Sequence, residues 1–505
     1  MTKRKVGSLV LALALCLGIL GGCGTKKEEA KESTATVKSE EAKTSEQDTA
    51  AKETTTISVY YYASNNQAAE KEVIGAMNAY SEDKIGVTIA FHPFDPSEYA
   101  DKLNMGLASK EDIDLCWVTG YTDLVSQDAL LDLTDLLPEY PALYNVMPEK
   151  IWQSIEIKGR RYSVPNYKES FVGYALFTPK DVADKVKEKY GIDFNAIECS
   201  TIFEIGNYED YILACMEEGV TMPLPEGVNL NKFMPSEKNH EGLDAPFAAV
   251  RGTHEITTYY DMPEYEAYME LMTKWKELGI WKEEQIMSDY VAKDYLVSGS
   301  YALTGAPLVP DMANAKKTAY GPEVYVKEIT DSYVVSNTAM GSGWAVNKMS
   351  KKADACLKWL ELLNTDTEFA DIFMYGLEGK QYTRNAEGVV EKIPDSGWAN
   401  GQWRATNYMV PSLLSTEAPD KKEQYTLANE AAKASEFMGF RPDYDKVESQ
   451  MAAVSAIVKE YNPMFERGFF GKDKLDEVKA KLKAAGAEEI IKELQSQMDA
   501  FFAEK

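Results

Sequence analysis

Hydrophobic patterns typical of strands and of helices alternate along the chain from residue 57 onward. Ile57–Tyr62 is β-branched and aromatic, which is typical of a buried strand. The next apolar residues recur at helical spacing and are Val73, Ile74, Met77 and Tyr80. A second strand is predicted at Val87–Phe91, directly after Gly86. This strand, helix and strand order predicts a parallel sheet.

The same alternation of predicted elements continues along the chain and indicates an α/β fold. A helix is predicted at Tyr99–Ala108, followed by a buried strand at Ile113–Val118. Val297–Gly305 is interpreted as a helix end, a turn and a strand, and Ala353–Asn364 as an amphipathic helix. Residues 57–505 are too many for one hydrophobic core, so we expect more than one domain.

The first 22 residues have the pattern of a secretory signal peptide. Three basic residues, Lys3, Arg4 and Lys5, precede the uncharged apolar stretch Val6–Leu20. That stretch is too short to cross a hydrocarbon core of about 30 Å as a helix. It ends in Leu20-Gly21-Gly22-Cys23, which resembles the bacterial lipobox, and this resemblance implies a lipidated Cys23. An uncleaved membrane helix with an incidental cysteine is the alternative.

The segment that follows Cys23 has the composition of a disordered linker. It runs to Thr56 and is dominated by Lys, Glu, Ala, Ser and Thr, with one valine and no aromatic residue. Such a segment buries too little apolar surface to offset its chain entropy. Residues 23–56 are therefore predicted to be a lipidated cysteine followed by a flexible tether.

The overall charge narrows the choice of partners. The chain has 54 basic and 81 acidic residues, for a net charge of -27. A surface this acidic repels phosphate backbones, so we expect no nucleic-acid partner. It also repels anionic lipid, so membrane attachment is expected to depend on the acyl chains at Cys23.

The cysteines and histidines do not form a pattern that predicts a metal site. Of six cysteines, the four outside the signal and the lipobox are Cys116, Cys199, Cys215 and Cys356, without a CxxC pair. We interpret them as buried or free thiols, and a Cys199–Cys215 bridge stays open in an exported protein. No metal or other cofactor is expected.

The sequence contains no motif that predicts catalysis. It has no GxSxG elbow, phosphate-binding GxxxxGK[ST] loop or HExxH helix, and the three histidines, His92, His240 and His254, are scattered. A glycoside hydrolase needs a pair of carboxylates, and no feature selects one pair among the 81 acidic residues. We therefore expect no enzyme activity and keep a secreted glycoside hydrolase as the weaker alternative.

Several segments together resemble a known family. They are the signal and lipobox, the acidic linker, ISVYYY, DIDLCWVTGY, GSYALTG, GWAVNKMSKKADACLKWLELLNTD, MYGLEGKQYTRNAEG and GFRPDY. Their order resembles the extracellular solute-binding lipoproteins of ABC importers with a maltose-binding-protein-like fold, and the last two segments resemble the LipO-type branch.

This resemblance implies a two-lobed periplasmic-binding-protein-like fold of type II, with hinge-linked lobes and a C-terminal helical extension. We expect residues 57–166 plus about 299–336 in lobe 1, and about 167–298 plus 337–505 in lobe 2. Hinge crossings are expected near 163–170, 299–310 and 331–344. The resemblance also implies a monomer on the outer face of the cell membrane that delivers its ligand to an ABC permease.

Candidate ligand-binding residues follow from the rule that ligands sit beyond the carboxyl ends of the strands. The residues after the first and third strands are Tyr62, Ser64, Asn65, Trp117, Tyr121 and Asp123. Candidates in loops and at the first crossing are Tyr167, Trp344, Trp398, Trp403 and Arg404. Trp152, Trp275 and Trp359 are interpreted as packing residues.

The candidate residues favour a sugar as the ligand. Aromatic rings stack on the C–H faces of sugars, and polar side chains bind the hydroxyl groups. The sequence thus predicts capture of a carbohydrate, in the form of an oligosaccharide, for import. A peptide-binding or sensory lipoprotein of the same fold is the alternative.

Overall fold

A computed structural model describes residues 54–64, 67–287 and 290–505 of the 505-residue chain. The expectations for the signal peptide, for Cys23, for Asn65 and for almost all of the linker lie outside these described residues. Lys52–Lys505 forms one unit in which the contacts are concentrated.

The strands and helices of the described residues alternate along most of the chain. The strands are β1 (Thr55–Tyr62), β2 (Val87–Phe94), β3 (Leu115–Trp117), β4 (Val164–Pro165), β5 (Tyr174–Pro179), β6 (His240–Gly242), β7 (Phe247–Val250), β8 (Ile256–Thr258), β9 (Thr304–Pro307), β10 (Val324–Glu328), β11 (Tyr333–Val334), β12 (Gly343–Val346), β13 (Tyr382–Arg384), β14 (Val390–Lys392) and β15 (Lys433–Ala434).

The helices are α1 (Glu70–Ile85), α2 (Tyr99–Ser109), α3 (Tyr121–Ser126), α4 (Pro141–Tyr144), α5 (Glu149–Ser154), α6 (Lys180–Tyr190), α7 (Glu209–Glu217), α8 (Leu230–Phe233), α9 (Pro263–Glu277), α10 (Ala292–Ser298), α11 (Met312–Tyr320), α12 (Ala353–Thr365), α13 (Thr367–Tyr375), α14 (Gln402–Ala405), α15 (Lys421–Ala431), α16 (Glu448–Phe465), α17 (Lys472–Ala484) and α18 (Ala487–Glu504).

The first unit of the fold is β1-α1-β2, as predicted. The helix buries Val73, Ile74 and Met77 on one face, in agreement with the helical spacing of the sequence. It ends at Gly86, whose φ of 67° is in the left-handed region that a glycine adopts without strain. The chain then turns directly into β2, which pairs in parallel with β1 from Thr55↔Val87 onward.

The first sheet has the order β2-β1-β3-β12-β4. Its first three strands are parallel, and β12 is antiparallel to β3 and β4. The buried Asp114 carboxylate joins three parts of this lobe: it accepts hydrogen bonds from the Ser58 amide at 2.9 Å, the Ser350 hydroxyl at 2.6 Å and the Lys352 ammonium at 2.9 Å.

The second sheet has the order β10-β5-β9, with both pairs antiparallel. Its central strand β5 is buried along its whole length. Tyr174 and Leu176 pack into one hydrophobic cluster, whereas Ala175 and Phe177 face the other. Side chains alternate between the two faces of a strand, so both faces of this sheet are covered.

Two hydrophobic clusters form the interior of the described chain. The first contains most buried residues between 57 and 171 and between 344 and 432, together with one face of the second sheet. The second lies on the other face of that sheet and includes the C-terminal residues Phe437–Met498. Trp152 and Trp359 are fully buried in the first cluster and Trp275 in the second, which confirms their predicted packing roles.

The chain passes between the two sheets three times. Residues 166–173 lead from β4 to β5, residues 329–342 lead from β10 back to β12, and residues 433–441 lead to the C-terminal helices. At these crossings Val172 and Tyr333 form an antiparallel bridge, and β11 pairs in parallel with β15. Two of these crossings, at residues 166–173 and 329–342, overlap the crossings expected near 163–170 and 331–344.

The strand pairing corrects the expected lobe boundaries. Residues 299–336 contribute β9 and β10, which pair with β5 in the second sheet and do not return to the first. Residues 337–432 contribute β12 to the first sheet and pack in the first cluster. The local pattern predicts that a strand exists but not its partner, since pairing is a long-range choice.

The C-terminal helices form the expected helical extension. Helices α16, α17 and α18 contact one another, α17 contacts α9, and α18 contacts β8. The four described cysteines are free buried thiols, so the Cys199–Cys215 bridge that the sequence left open is not formed. In the part of the chain that the structure describes, no helix is long and apolar enough to cross a bilayer.

We predict that Asp114→Asn lowers the free energy of unfolding at pH 7 by about 2 kcal/mol, because it weakens buried hydrogen bonds and leaves Lys352 without its partner. Urea denaturation measures this change. Asp112→Asn is the matched control, since that carboxylate is 83% exposed and 3.9 Å from Lys352, and it should change stability by less than about 0.5 kcal/mol.

The same variant is expected to flatten the acid limb of the stability curve. Burial opposes ionisation, but hydrogen bonds from Ser350, Lys352 and Ser58 outweigh it and hold the pKa of Asp114 below its ordinary value of 3.8. The ionised carboxylate thus stabilises the wild type above that ordinary pKa, and the contribution disappears as pH falls through the lower folded-state pKa. An equally steep acid limb in Asp114→Asn would contradict this assignment.

Candidate functional site

Two aromatic residues meet where the first and third strands end. Tyr62 is the last residue of β1 and Trp117 is the last residue of β3. Their rings stack with centroids 4.7 Å apart and an angle of 26° between the planes. Neighbouring parallel strands end at the same edge of a sheet, which is why the sequence could place these two residues together.

Trp403 extends this stack into solvent. Its ring packs edge-on against Trp117, with centroids 5.6 Å apart, and against Tyr62 at 6.0 Å. Trp403 is 39% exposed, although the other described tryptophans are all buried. The three residues form a single aromatic cluster, which we call the aromatic corner, and its exposed ring is Trp403.

A cavity of about 330 Å³ adjoins the aromatic corner, and we call it the crossing-strand cavity. It is lined by Asn166, Lys168, Glu169, Ser170, Thr338, Ala339, Gly341, Ser342 and Trp403. All of these residues except Trp403 belong to the first two chain crossings. The cavity is therefore built at the point where the two sheets are connected.

Asn166 is the most informative polar residue of this cavity. It is 2% exposed, and its Nδ2 donates to the Ser342 hydroxyl at 2.8 Å and to the Trp403 carbonyl at 3.4 Å. Its Oδ1 has no hydrogen-bond partner among the described residues. An unpaired buried acceptor costs about 1–3 kcal/mol, so a donor from a bound molecule would relieve this cost.

A second unpaired group lies in the aromatic corner. The indole Nε1 of Trp117 is buried and has no acceptor among the described residues. Each of the two residues that contact Trp403, namely Trp117 and Asn166, thus has one unpaired polar atom: an N–H donor in the first and a carbonyl acceptor in the second. Both groups suit a ligand with hydroxyl groups, since a hydroxyl donates one hydrogen bond and accepts others.

The rim of the cavity is charged. Lys168 and Glu169 form an ion pair, and both side chains are largely buried. Burial raises the pKa of Tyr408 and Tyr425 well above the ordinary range, and the negative charge of Glu169 contributes to both shifts. These tyrosines stay neutral at physiological pH and keep their hydroxyl hydrogens available for hydrogen bonds.

Two predicted ring platforms are packing residues in this structure. Trp344 is fully buried, stacks on Tyr61 with centroids 5.1 Å apart, and donates from Nε1 to the Ala405 carbonyl at 3.1 Å. Trp398 is buried and donates from Nε1 to the Phe373 carbonyl at 3.0 Å. Neither ring offers a free face to a soluble ligand, because tertiary contacts cover it.

Two predicted tyrosines are also buried. The Tyr121 hydroxyl donates to the Ile155 carbonyl at 2.9 Å and accepts from the Tyr162 amide at 3.0 Å. The carbonyl of buried Tyr167 accepts from the Tyr408 amide at 2.8 Å. Their positions help to shape the first crossing, but their side chains do not line the crossing-strand cavity.

The remaining predicted residues lie at the surface or beside the aromatic corner. Ser64 and Asp123 are exposed. Arg404 places its guanidinium 5.9 Å from the Trp403 ring centroid and donates from Nε to Asn400 at 3.2 Å. The sequence analysis did not select Asn166 and Ser342 as candidate residues. The one feature of the sequence that could have indicated them is their position within the expected crossings.

A comparison with protein families identifies the family of this chain. Residues 75–379 match the family described as bacterial extracellular solute-binding protein. The chain belongs to this family. Residues 436–503 of the solute-binding protein, which include most of the C-terminal helical extension, match a second family described as a domain of unknown function. Membership of an extracellular family places the folded protein outside the cytoplasm.

Relatives and solved structures extend the likeness to most of the chain. A carbohydrate ABC transporter substrate-binding protein of Streptococcus pneumoniae serotype 4 is 22% identical over 86% of this chain and 88% of its own length. The crystal structure of the N-glycan transport solute binding protein NgtS from Streptococcus pneumoniae is 21% identical, covers 88% of this chain and 99% of that one, and has a TM-score of 0.76.

A second structure of NgtS, in complex with Man5GlcNAc, covers 89% of this chain and 99% of that one at 21% identity, with a TM-score of 0.63. These likenesses confirm the predicted fold class, a type II solute-binding-protein fold with C-terminal helices.

We predict stability losses of different size for two tryptophans that the sequence analysis treated alike. Trp344→Ala should lower the free energy of unfolding by about 3–5 kcal/mol, since it empties a fully buried site. Trp403→Ala should cost about 1 kcal/mol or less, because much of that ring is in solvent. Urea denaturation measures both values, and equal costs would contradict the burial of Trp344 or the exposure of Trp403.

Proposed function

We propose that this solute-binding protein captures an oligosaccharide at the aromatic corner and the crossing-strand cavity and delivers it to an ABC importer. The observation that carries the proposal is the exposed Trp403 ring, which packs against Trp117 and whose backbone carbonyl accepts a hydrogen bond from Asn166. Nε1 of Trp117 and Oδ1 of Asn166 both lack a partner among the described residues. The names of the relatives support the same class of ligand.

The chemistry of the site suits a sugar ring. A pyranose has an apolar C–H face, which packs on an aromatic ring, and hydroxyl groups around its edge, which need polar partners. Trp403 supplies the ring, and Asn166 and Trp117 supply an acceptor and a donor. The Lys168–Glu169 pair adds charged partners at the rim for further hydroxyl groups.

The proposed mode of action is closure of two lobes around the ligand. We assign residues 54–170 and 335–432 to the lobe that contains the first sheet, and residues 174–330 and 437–505 to the lobe that contains the second. The three crossings would serve as the hinge. Hinge closure around a bound solute gives a permease a surface that differs between the empty and the loaded protein.

The proposed role is binding and delivery without turnover. The relatives named above are binding proteins of transporters, and no step of the proposal needs a catalytic residue. A peptide ligand is the alternative, and it would call for charged anchors for the peptide termini in place of an aromatic platform.

We further propose that lipid at Cys23 holds the protein at the outer face of the cell membrane as a monomer. The Leu20-Gly21-Gly22-Cys23 sequence and the positively charged start of the chain support this proposal. Acyl chains contribute about 0.8 kcal/mol per buried CH₂, so two or three chains, such as palmitate, suffice for durable attachment. Attachment by acyl chains leaves the acidic folded part free to meet its permease.

We expect Trp403→Ala to weaken binding of Man5GlcNAc by about tenfold or more, because loss of one stacking platform costs about 1–2 kcal/mol. Isothermal titration calorimetry measures the affinity. Met349→Ala is the control, since Met349 is 59% exposed and does not line the cavity, and its affinity should equal that of the wild type.

Two results of the titration would contradict the proposal. The first is unchanged affinity for every glycan that the wild type binds after loss of the Trp403 ring. The second is saturable binding of a tetrapeptide library combined with no heat from neutral glycans, which would favour the peptide alternative.

We expect Cys23→Ala to release the protein from the membrane fraction of its native host, whereas Cys16→Ala, which changes the other cysteine of the signal region, should leave it attached. Mass spectrometry of the mature wild type should find an N-terminal peptide that begins at a lipidated Cys23. An unmodified Cys23 thiol or a retained signal peptide would refute the anchor.

A further inference from the structure

A second cavity lies between α16 and two loops of the second lobe, and we call it the α16 groove. Its volume is about 600 Å³, and its lining includes Asn229, Met451, Ser455, Lys459, Asn462 and Glu466. Among the described residues, none lines both the α16 groove and the crossing-strand cavity. The groove therefore has its own set of side chains.

Helix α16 supplies half of this lining. Met451, Ser455, Val458 and Asn462 are spaced by four, three and four residues, which places them on one side of the helix. A helix that packs against a protein body normally turns an apolar stripe toward it. Here the stripe carries a hydroxyl and an amide as well, so it is suited to contact a polar molecule.

Asn462 is the strongest sign of a missing partner in the groove. It is 6% exposed, and its Oδ1 accepts a hydrogen bond from the Tyr260 hydroxyl. Its Nδ2 is buried and has no acceptor among the described residues. Asn462 lines the groove. An unpaired buried donor costs about 1–3 kcal/mol, and the oxygen of a bound molecule would remove this cost.

Glu466 adds a group that can both donate and accept. The Leu230 amide hydrogen-bonds to its carboxyl group, and burial raises the pKa of Glu466 to about 7. Near neutral pH the carboxyl group is thus present in both its protonated and its ionised form. Such a group suits the hydroxyl of a neutral ligand, which works as donor or acceptor.

We propose that the α16 groove binds one residue of a neutral sugar, as a second carbohydrate site beside the crossing-strand cavity. This inference rests on the proposed carbohydrate function. Asn462, Glu466 and Asn229 supply polar contacts, and Met451 and Val458 supply an apolar surface for the C–H face of the ring. A negatively charged ligand is disfavoured by Glu466 and Asp244, although Lys459 lies at the same groove.

Methyl NMR of [¹³C-methyl]methionine-labelled protein tests the two sites separately. Met451 lines the α16 groove, and Met340 lies between Ala339 and Gly341 of the crossing-strand cavity. Glucose, mannose and N-acetylglucosamine are titrated one at a time into the full protein. The expected result is a saturable shift of the Met451 methyl signal with at least one of these monosaccharides, and the same titration curve in Trp403→Ala.

A pair of variants on one helix provides the matched control. Ser455→Leu places a larger apolar side chain at an exposed lining position and should weaken the Met451 response at least tenfold. Ser449→Leu changes an exposed serine of the same helix that does not line the groove, and it should leave the response unchanged. Equal unfolding curves for the two variants would show that both are folded.

The outcomes separate this inference from the proposed function. A Met340 response to sugar without a Met451 response would overturn the second site and leave the proposed function intact. A Met451 response that persists in Ser455→Leu, or disappears in Trp403→Ala, would also overturn it, because the shift would then not arise from the groove. No response of either methyl group, with no heat from oligosaccharides, would refute the carbohydrate function itself.

Discussion

The backbone pairing of the three chain crossings is the constraint on which the rest of the structure depends. Val172 and Tyr333 exchange backbone hydrogen bonds of 2.7 and 2.8 Å, and the Lys433 amide bonds to the Ser332 carbonyl at 2.9 Å. A slip of one crossing past another would leave these groups unpaired. The guanidinium of Arg251, 4.2 Å from the Tyr333 ring centroid, anchors the central crossing to the second lobe. The relative register of the sheets is thereby set.

The crossings determine the geometry of the proposed site. The carbonyl of Trp403 accepts hydrogen bonds from Asn166 of the first crossing and from Ser342 of the second. The position of the exposed indole is therefore tied to two segments that are far apart in sequence. The Tyr62–Trp117 stack supports the same ring from the first sheet. In the proposed site, Tyr62 and Trp117 belong to the first sheet, Trp403 belongs to α14, and the polar residues belong to the connections between the sheets.

The C-terminal helices have a different structural role from the crossings. They extend the second hydrophobic cluster, and Val454, Val458 and Phe465 show that α16 is a helix with an apolar contact face. The same helix contains Asn462. Its Oδ1 accepts a hydrogen bond from the Tyr260 hydroxyl, and its Nδ2 has no partner among the described residues. Local departures from good packing chemistry concentrate at sites with a function. The proposed site in the crossing-strand cavity also contains an unpaired buried atom, Oδ1 of Asn166.

The sequence by itself determined the elements whose signals are local. The hydrophobic spacing predicted β1-α1-β2 and the helix at Ala353–Asn364, which the structure has at Ala353–Thr365, and the ends of the first and third strands predicted Tyr62 and Trp117 as candidate residues. Only the tertiary structure decided that β9 and β10 pair with β5, that Trp344 is buried and Trp403 exposed, and that Asn166 lacks a partner. Strand pairing, burial and hydrogen-bond satisfaction depend on which distant segments meet, and periodicity within one segment carries no information about that choice.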